Sequence, residues 1–478
     1  MKHLKALLVL ALGLVIAAPA YAETQNVKVS GSIDAYWFYR HNLDLLDNND
    51  AGSVASANAV PAGNHAGSAT HRSESDDYAM TITQLQVNAD LTDNVSTVIN
   101  LINQRDWNAQ TYEGTAANAG AEFDVMLDLA YVQMKEIFYA PLTLTIGRQD
   151  LVFGRGFILG WNPQNPGLDG TGAAGSGTIA ATEFTQIQSF DALRATLDFN
   201  PWTIDMVYSN VDENSRDNAD DHELYLVNVN YKFAEYNAVA EAYYLGDFDR
   251  AAVAGASGTK DNITNTFGGR IQFDPISQMT LGGEIAYQSG DYYAAVTSPA
   301  RDRNAWAMNI FGEYRIDNTW KPMVGIEYVL FSGEEDMGAG STQGYGSWNG
   351  SWRLPVYGWL RDYQEIYYET AQTNDQPAGT NQQHISLYGS MNPMTDLKLD
   401  AKYWHFWTDA PVHTTAGVLG SGSLSSQIGD ELDITTTYTY TEDVTFTFYA
   451  NWFFPGAMFS SPNDATASEF ISEVKVAF

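Results

Sequence analysis

The feature that most restricts how this chain can fold is the way its connections sort by length. Short connections fall at 93–94, 137–141, 200–201, 233–236, 275–278, 316–320, 392–396 and 441–443, and long ones at 41–76, 108–121, 155–188, 212–221, 248–261, 292–303, 334–382, 408–429 and 455–466. The two kinds alternate along the whole chain. The short ones carry turn chemistry, such as Asp93-Asn94, Asn200-Pro201, Asp274-Pro275 and Glu442-Asp443, whose residues favour tight reversals. The long ones are rich in Gly, Ser, Asn and Asp, the composition of loops.

The segments between connections have a period of two. Val27, Val29, Ile33, Ala35 and Trp37 oppose Lys28, Ser30, Asp34 and Tyr36; Phe470, Val474, Val476 and Phe478 oppose Glu469, Glu473 and Lys475. In 121–136, Phe123, Val125, Leu127, Leu129 and Tyr131 fall on one face, with Asp124 and Asp128 on the other. This alternation suits a strand with an apolar medium on one side and water on the other. A β-sandwich also alternates, but it has no reason to sort its loops by parity. A transmembrane barrel does, with short periplasmic turns and long extracellular loops, and an even strand count places both termini in the periplasm. The sheet must close, because unpaired backbone groups in lipid cost several kcal/mol each. The pattern therefore predicts an all-β, closed antiparallel transmembrane β-barrel of about 18 strands across 26–478. Sixteen strands is the alternative, because 334–382 is hard to parse and a hairpin around 365–370 is one way to read it.

The first residues form a targeting segment. Lys2, His3 and Lys5 precede an apolar run at 6–18, and Ala20-Tyr21-Ala22 fits a cleavage site. That run is too short for a comfortable membrane span. The expectation is a signal peptide over 1–22, Sec-type cleavage between Ala22 and Glu23, and a single barrel domain over 23–478 in the outer membrane of a Gram-negative envelope. Aromatic residues collect at strand ends: Trp37, Tyr39, Phe138, Tyr139, Phe199, Trp202, Phe233, Tyr236 and Trp452 to Phe454. Amphipathic rings there suit the two membrane interfaces. The chain ends on Phe478 inside a strand, which resembles the C-terminal signal of barrels handled by the outer-membrane assembly machinery.

Composition removes other classes. There is no Cys among 478 residues, so disulfides, thiolate metal sites and cysteine nucleophiles are excluded. Lys and Arg number 24 against 58 Asp and Glu, a formal net charge of −34, which argues against nucleic acid as a partner. The eight His are scattered, and no G-x-S-x-G, H-E-x-x-H or P-loop motif occurs, so the expectation is a protein that is not an enzyme and needs no cofactor.

A barrel this wide leaves a lumen, and the inward positions become its functional surface. By parity these include Asp124, Asp128, Arg194, Asp198, Glu241, Arg270, Glu284 and Glu327. The most distinctive segment is 144–161, LTIGRQDLVFGRGFILGW. Parity places its Arg148 with Leu144 and Ile146 on the lipid face, unless a bulge or strand end near the outer interface turns it inward. The Gly-rich connection 155–188 can fold into the lumen or stand outside it. The GRQDLVFGRGFILG stretch resembles the alginate-export-like family of outer-membrane porins. That resemblance implies an 18-stranded barrel, a long loop that helps gate the pore, and passage of an anionic polysaccharide through an arginine-lined constriction. It makes Arg148, Arg155, Arg194 and Arg270 the candidate constriction arginines. Parity places few arginines inward overall, so carboxylates are expected to dominate the field and favour cations. Acidic loops concentrate Asp47 and Asp50, and Asp217 and Asp220, which are weak candidates for Ca²⁺ because hard oxygen ligands suit that ion. The functional readings are a channel for hydrophilic solutes, an export channel for a polysaccharide, and a structural barrel that partners another envelope complex.

Overall fold

The computed structural model describes residues 26–42, 45, 75–107, 125–138, 141–162, 165, 185–212, 221–255, 258–293, 296–335, 343–354, 360, 380–411, 413–414, 422–423, 425–459 and 464–478. Eighteen antiparallel strands close on themselves. They are β1 (Asn26–His41), β2 (Ser75–Thr92), β3 (Val95–Asp106), β4 (Met126–Lys135), β5 (Leu142–Gln149), β6 (Phe190–Asp198), β7 (Trp202–Asp212), β8 (His222–Phe233), β9 (Ala238–Gly255), β10 (Gly258–Ile276), β11 (Met279–Tyr292), β12 (Arg301–Arg315), β13 (Met323–Phe331), β14 (Gln382–Met394), β15 (Leu397–Trp407), β18 (Gln427–Thr439), β19 (Val444–Pro455) and β20 (Ala467–Ala477). A two-residue pair outside the barrel, β16 (His413–Thr414) with β17 (Gly422–Ser423), completes the strands. Closure comes from β1 against β20, with Asp34 opposite Lys475 and Arg40 opposite Glu469. The two chain ends are stitched together where Gly31 and Phe478 exchange backbone hydrogen bonds of 2.9 and 3.0 Å. No backbone edge is left facing lipid.

The register sorts side chains onto two faces. Val27, Val29, Trp37, Ile271, Ile285, Ile310, Leu387 and Phe448 lie on the outward face and are exposed, as a lipid-facing surface requires. The interface aromatics Trp37, Phe138, Phe199, Trp202, Phe233, Tyr236 and Phe454 are also exposed. Phe453 departs from that set and is fully buried on the inner side; Tyr139 lies outside the described residues. The signal segment, Asp124 and the 365–370 stretch lie outside them as well.

Three features of the fold differ from the pattern read in the sequence. First, β4 carries an irregularity: Asn100 pairs Leu129 while its neighbour Leu101 pairs Leu127. The extra residue rotates the strand by one face. Leu127 stays outward, but Tyr131 pairs Val98 and Gly147 on the inner side. Second, the expected long connection at 248–261 is strand, because β9 and β10 continue to Gly255 and Gly258. Above the membrane both faces of a hairpin meet water, so apolar alternation stops while the backbone ladder continues. Third, the alternation that extends β5 to 154 in the sequence ends at Gln149 in the fold. Leu151 and Phe153 then pack on the inner wall without a strand to carry them.

Candidate functional site

Two segments turn inward from the outer end and narrow the lumen. The first, 150–162, follows β5. Leu151 and Leu159 join Phe190, Ala192, Val207, Leu224, Leu226 and Leu245 in an apolar cluster on the inner wall of β6–β9. Phe157 reaches further round and packs with Ala286, Ala305, Ala307, Val329, Phe331 and Trp348 on the wall of β11–β13. The second segment, 343–354, follows β13 and adds Trp348 to one cluster and Trp352 to the other.

The two segments are bonded to each other. Trp352 O accepts from Gly160 N at 2.7 Å and from Trp161 N at 3.0 Å, and Leu354 N donates to Gly156 O at 2.8 Å. Gly156 is required at this crossing: its φ is +72° and a Cβ there would collide with the Leu354 side chain.

Wall residues hold the second segment through its backbone. Gln288 brackets Asn349, donating to its O at 2.9 Å and accepting from its N at 2.8 Å. Arg301 donates to Gln343 O and Gly344 O, and Arg303 to Ser347 O. Both guanidinium groups lie over the Tyr345 ring, which stacks on Tyr292 at 3.6 Å. Asp247 accepts from Trp352 Nε1 at 2.9 Å and Asn349 Nδ2 at 3.0 Å, and its other oxygen meets His222 Nε2. All of these contacts except His222–Asp247, which joins β8 to β9, tie an inward segment to a strand.

On the opposite side, residues 185–189 line β1–β4. Gln186 bonds Gln84 and Asp34, Thr185 bonds Gln104, and Ser189 bonds Asp128. The described ends of the 155–188 connection thus lie inside the barrel.

Most of the sequence-nominated residues come together on the inner wall. Arg270 pairs Glu241 and sits beneath Gly154; Glu284 on β11 accepts from Tyr243 at 2.7 Å. Arg194 pairs Asp205 at 2.8 Å. Arg155 pairs Glu327 at 3.3 Å and lies 4.1 Å above the Phe311 ring. Asp128 accepts from Asn100 at 2.9 Å, and Asp198 is exposed near the periplasmic turn. Arg148 is the exception. Its strand partners, Ala130 and Asp191, keep it on the outward face, and no bulge turns it inward. It donates to Leu127 O at 3.0 Å and Asp191 Oδ2 at 3.2 Å, and it also holds Asn165. The loop acids Asp47, Asp50, Asp217 and Asp220 lie outside the described residues.

Inward arginines are more numerous than parity alone suggested. Arg40, Arg301 and Arg303 face inward from β1 and β12, and Arg353 is carried in by the second segment. Parity could have found Arg40, which shares its face with Asp34. Arg301 and Arg303 precede the alternation from which β12 was read. Nothing in the Gly- and Ser-rich run around Arg353 announces an inward fold.

Several lumen ion pairs share one orientation, whereas Arg40–Glu469 and Arg301–Glu334 are buried at both ends. Lys475 is 45% exposed while its partner Asp34 is fully buried. Arg194 is 30% exposed against 7% for Asp205. Arg155 and Lys402 are 39% and 28% exposed, and the Glu327 they share is 10% exposed. Long cationic side chains reach past short carboxylates fixed at the wall. A solute in this part of the lumen meets guanidinium and ammonium groups first, although the chain as a whole is strongly acidic.

A family model described as alginate export matches residues 60–472. Among solved structures, the chain is similar to OccK8 (OprE) of Pseudomonas aeruginosa, with a TM-score of 0.53, 10% identity, and coverage of 95% of this chain and 98% of that one. OccAB2 of Acinetobacter baumannii gives a TM-score of 0.53 at 11% identity, covering 96% and 99%. OccK2 (OpdF) of Pseudomonas aeruginosa in complex with glucuronate gives 0.51 at 9% identity, covering 95% and 98%. These similarities show the fold. No curated protein matches the chain.

Proposed function

Because the chain belongs to the alginate export family and closes into an 18-stranded outer-membrane barrel, we propose that it is a porin-type channel for hydrophilic solutes that favours anions. The observation that carries this reading is the orientation of the lumen ion pairs. Carboxylates are recessed and cations stand in the water, so the local field seen by a solute is positive. This replaces the cation preference that the acidic composition suggested, because composition sums over every residue, whereas a solute responds to the groups it can reach.

The family description supports a second reading, export of an anionic polysaccharide. An extended polyanion would meet the same exposed cations, but the inward segments 150–162 and 343–354 lie across its path. The family and fold are those of channels, which argues against an enzyme. Cleavage after Ala22 and delivery to the barrel-assembly machinery complete the proposal for how the chain reaches the outer membrane.

Swelling of liposomes that contain the purified barrel tests the reading. Monosaccharide-sized carboxylates should enter faster than amines of the same size. Equal exclusion of all hydrophilic solutes would contradict a channel, and faster entry of amines would contradict the anion preference.

A further inference from the structure

Glu327 stands in an unusual position, because one carboxylate serves two cations. It is fixed to the wall by Asn309 Nδ2, which donates to Oε1 at 2.8 Å. Arg155 Nη1 approaches Oε1 at 3.3 Å, and Lys402 Nζ approaches Oε2 at 3.3 Å. Both distances exceed the roughly 2.7–2.9 Å of a tight charge-assisted hydrogen bond. Each cation also rests on aromatic faces: Arg155 on Phe311 at 4.1 Å, and Lys402 on Trp404 at 3.6 Å and Tyr388 at 5.0 Å. The trio therefore carries one surplus positive charge, and its cations are held loosely to their carboxylate but firmly in place.

We propose that Glu327 is a specificity-setting counter-ion, which an anionic solute displaces from Arg155 and Lys402 and which then reclaims them, keeping the solute's stay short. The inference rests on the channel reading above. Conduction needs a site attractive enough to enter and weak enough to leave. Arg155 and Lys402 alone would hold a carboxylate, whereas a carboxylate anchored between them competes with every bound anion. The backbone need not move, because Phe157 and Leu159 pin the segment that carries Arg155. The exchange is a side-chain event.

Single-channel recording of the full-length barrel, with sodium gluconate as probe on the short-turn side, tests this. Glu327→Gln keeps an oxygen that can accept from Asn309 and removes the competing charge. It should lengthen the gluconate-induced current interruptions about tenfold. Lys402→Gln should shorten them, Arg155→Gln should remove them, and Glu327→Asp, which keeps the charge, should stay close to wild type. Unchanged or shorter interruptions in Glu327→Gln, with current otherwise normal, would overturn the inference and leave the channel reading standing. Should that variant not fold, interruptions in Lys402→Gln as long as in wild type would overturn it equally. Absence of any current from the wild-type barrel would remove both readings.

Discussion

Arg148 and Arg155 come from one short motif and meet opposite surroundings. Arg148 lies one residue before the end of β5, on the outward face, and donates to Leu127 O, Asp191 and Asn165. Arg155 lies past the strand end, where the chain has already turned into the lumen, and faces Glu327. Period-two parity assigned the first correctly to the lipid side, and only an expected bulge could have moved it. For Arg155 parity had nothing to say, since the alternation on which it depends has ended. The account predicts that Arg148→Ala weakens the outer ends of β4–β6 by about 1–3 kcal/mol, the cost of leaving partly buried acceptors without a donor. Ion selectivity should not change. Thermal melting together with reversal potentials checks both halves, and a selectivity change would show that Arg148 does face the pore. Gly156 is a second informative residue. Gly156→Ala meets both a φ of +72° and the Leu354 side chain, so it should loosen the crossing of the two inward segments by roughly 1–3 kcal/mol. Noisier single-channel current is the expected sign.

The strands and the inward segments differ in how far they can be read from sequence. Each strand separates lipid from water, and that contrast writes a period of two into its residues. Hence β1, β11 and β20 were legible almost to the residue. The irregularity at Asn100–Leu129 was not, because one extra residue leaves the composition of β4 unchanged and only shifts its phase. Segments 150–162 and 343–354 have no such contrast to record. Their hydrophobic residues follow no sustained period, and their destinations lie on strands distant in sequence, such as Phe157 against Phe331 at 5.2 Å between ring centroids. These segments are held by packing rather than by exposed ion pairs, which contribute little. Phe157→Ala should therefore cost about 3–5 kcal/mol in local packing. The first segment should retract and single-channel conductance should rise. An unchanged conductance would mean that Phe157 does not hold the constriction.

At the scale of the whole molecule, the charge budget of −34 and the field inside the barrel point in different directions. Net charge is a sum over all residues, whereas a permeating solute responds to the groups it can reach. Lys475 over Asp34, Arg194 over Asp205, and Arg155 with Lys402 over Glu327 each place the cation nearer the solvent. Which member of a pair is recessed depends on side-chain length, which residue identity states, and on neighbours across strands, which it does not. The barrel itself was legible because closure, parity and an even strand count constrain one another. Screening adds a test at this scale. With a Debye length near 10 Å at 0.1 M and about 3 Å at 1 M salt, the anion preference should shrink steeply as ionic strength rises. Selectivity that persisted at molar salt would point to size rather than charge.

The central claim is tested most directly by the reversal potential of the barrel in a planar lipid bilayer under a potassium chloride gradient. The account predicts an open channel whose reversal potential has the sign of chloride preference, moving toward potassium when Arg155, Arg194 and Lys402 are changed together to Gln. A barrel that conducts potassium in preference to chloride before any substitution, or that does not conduct, would contradict it.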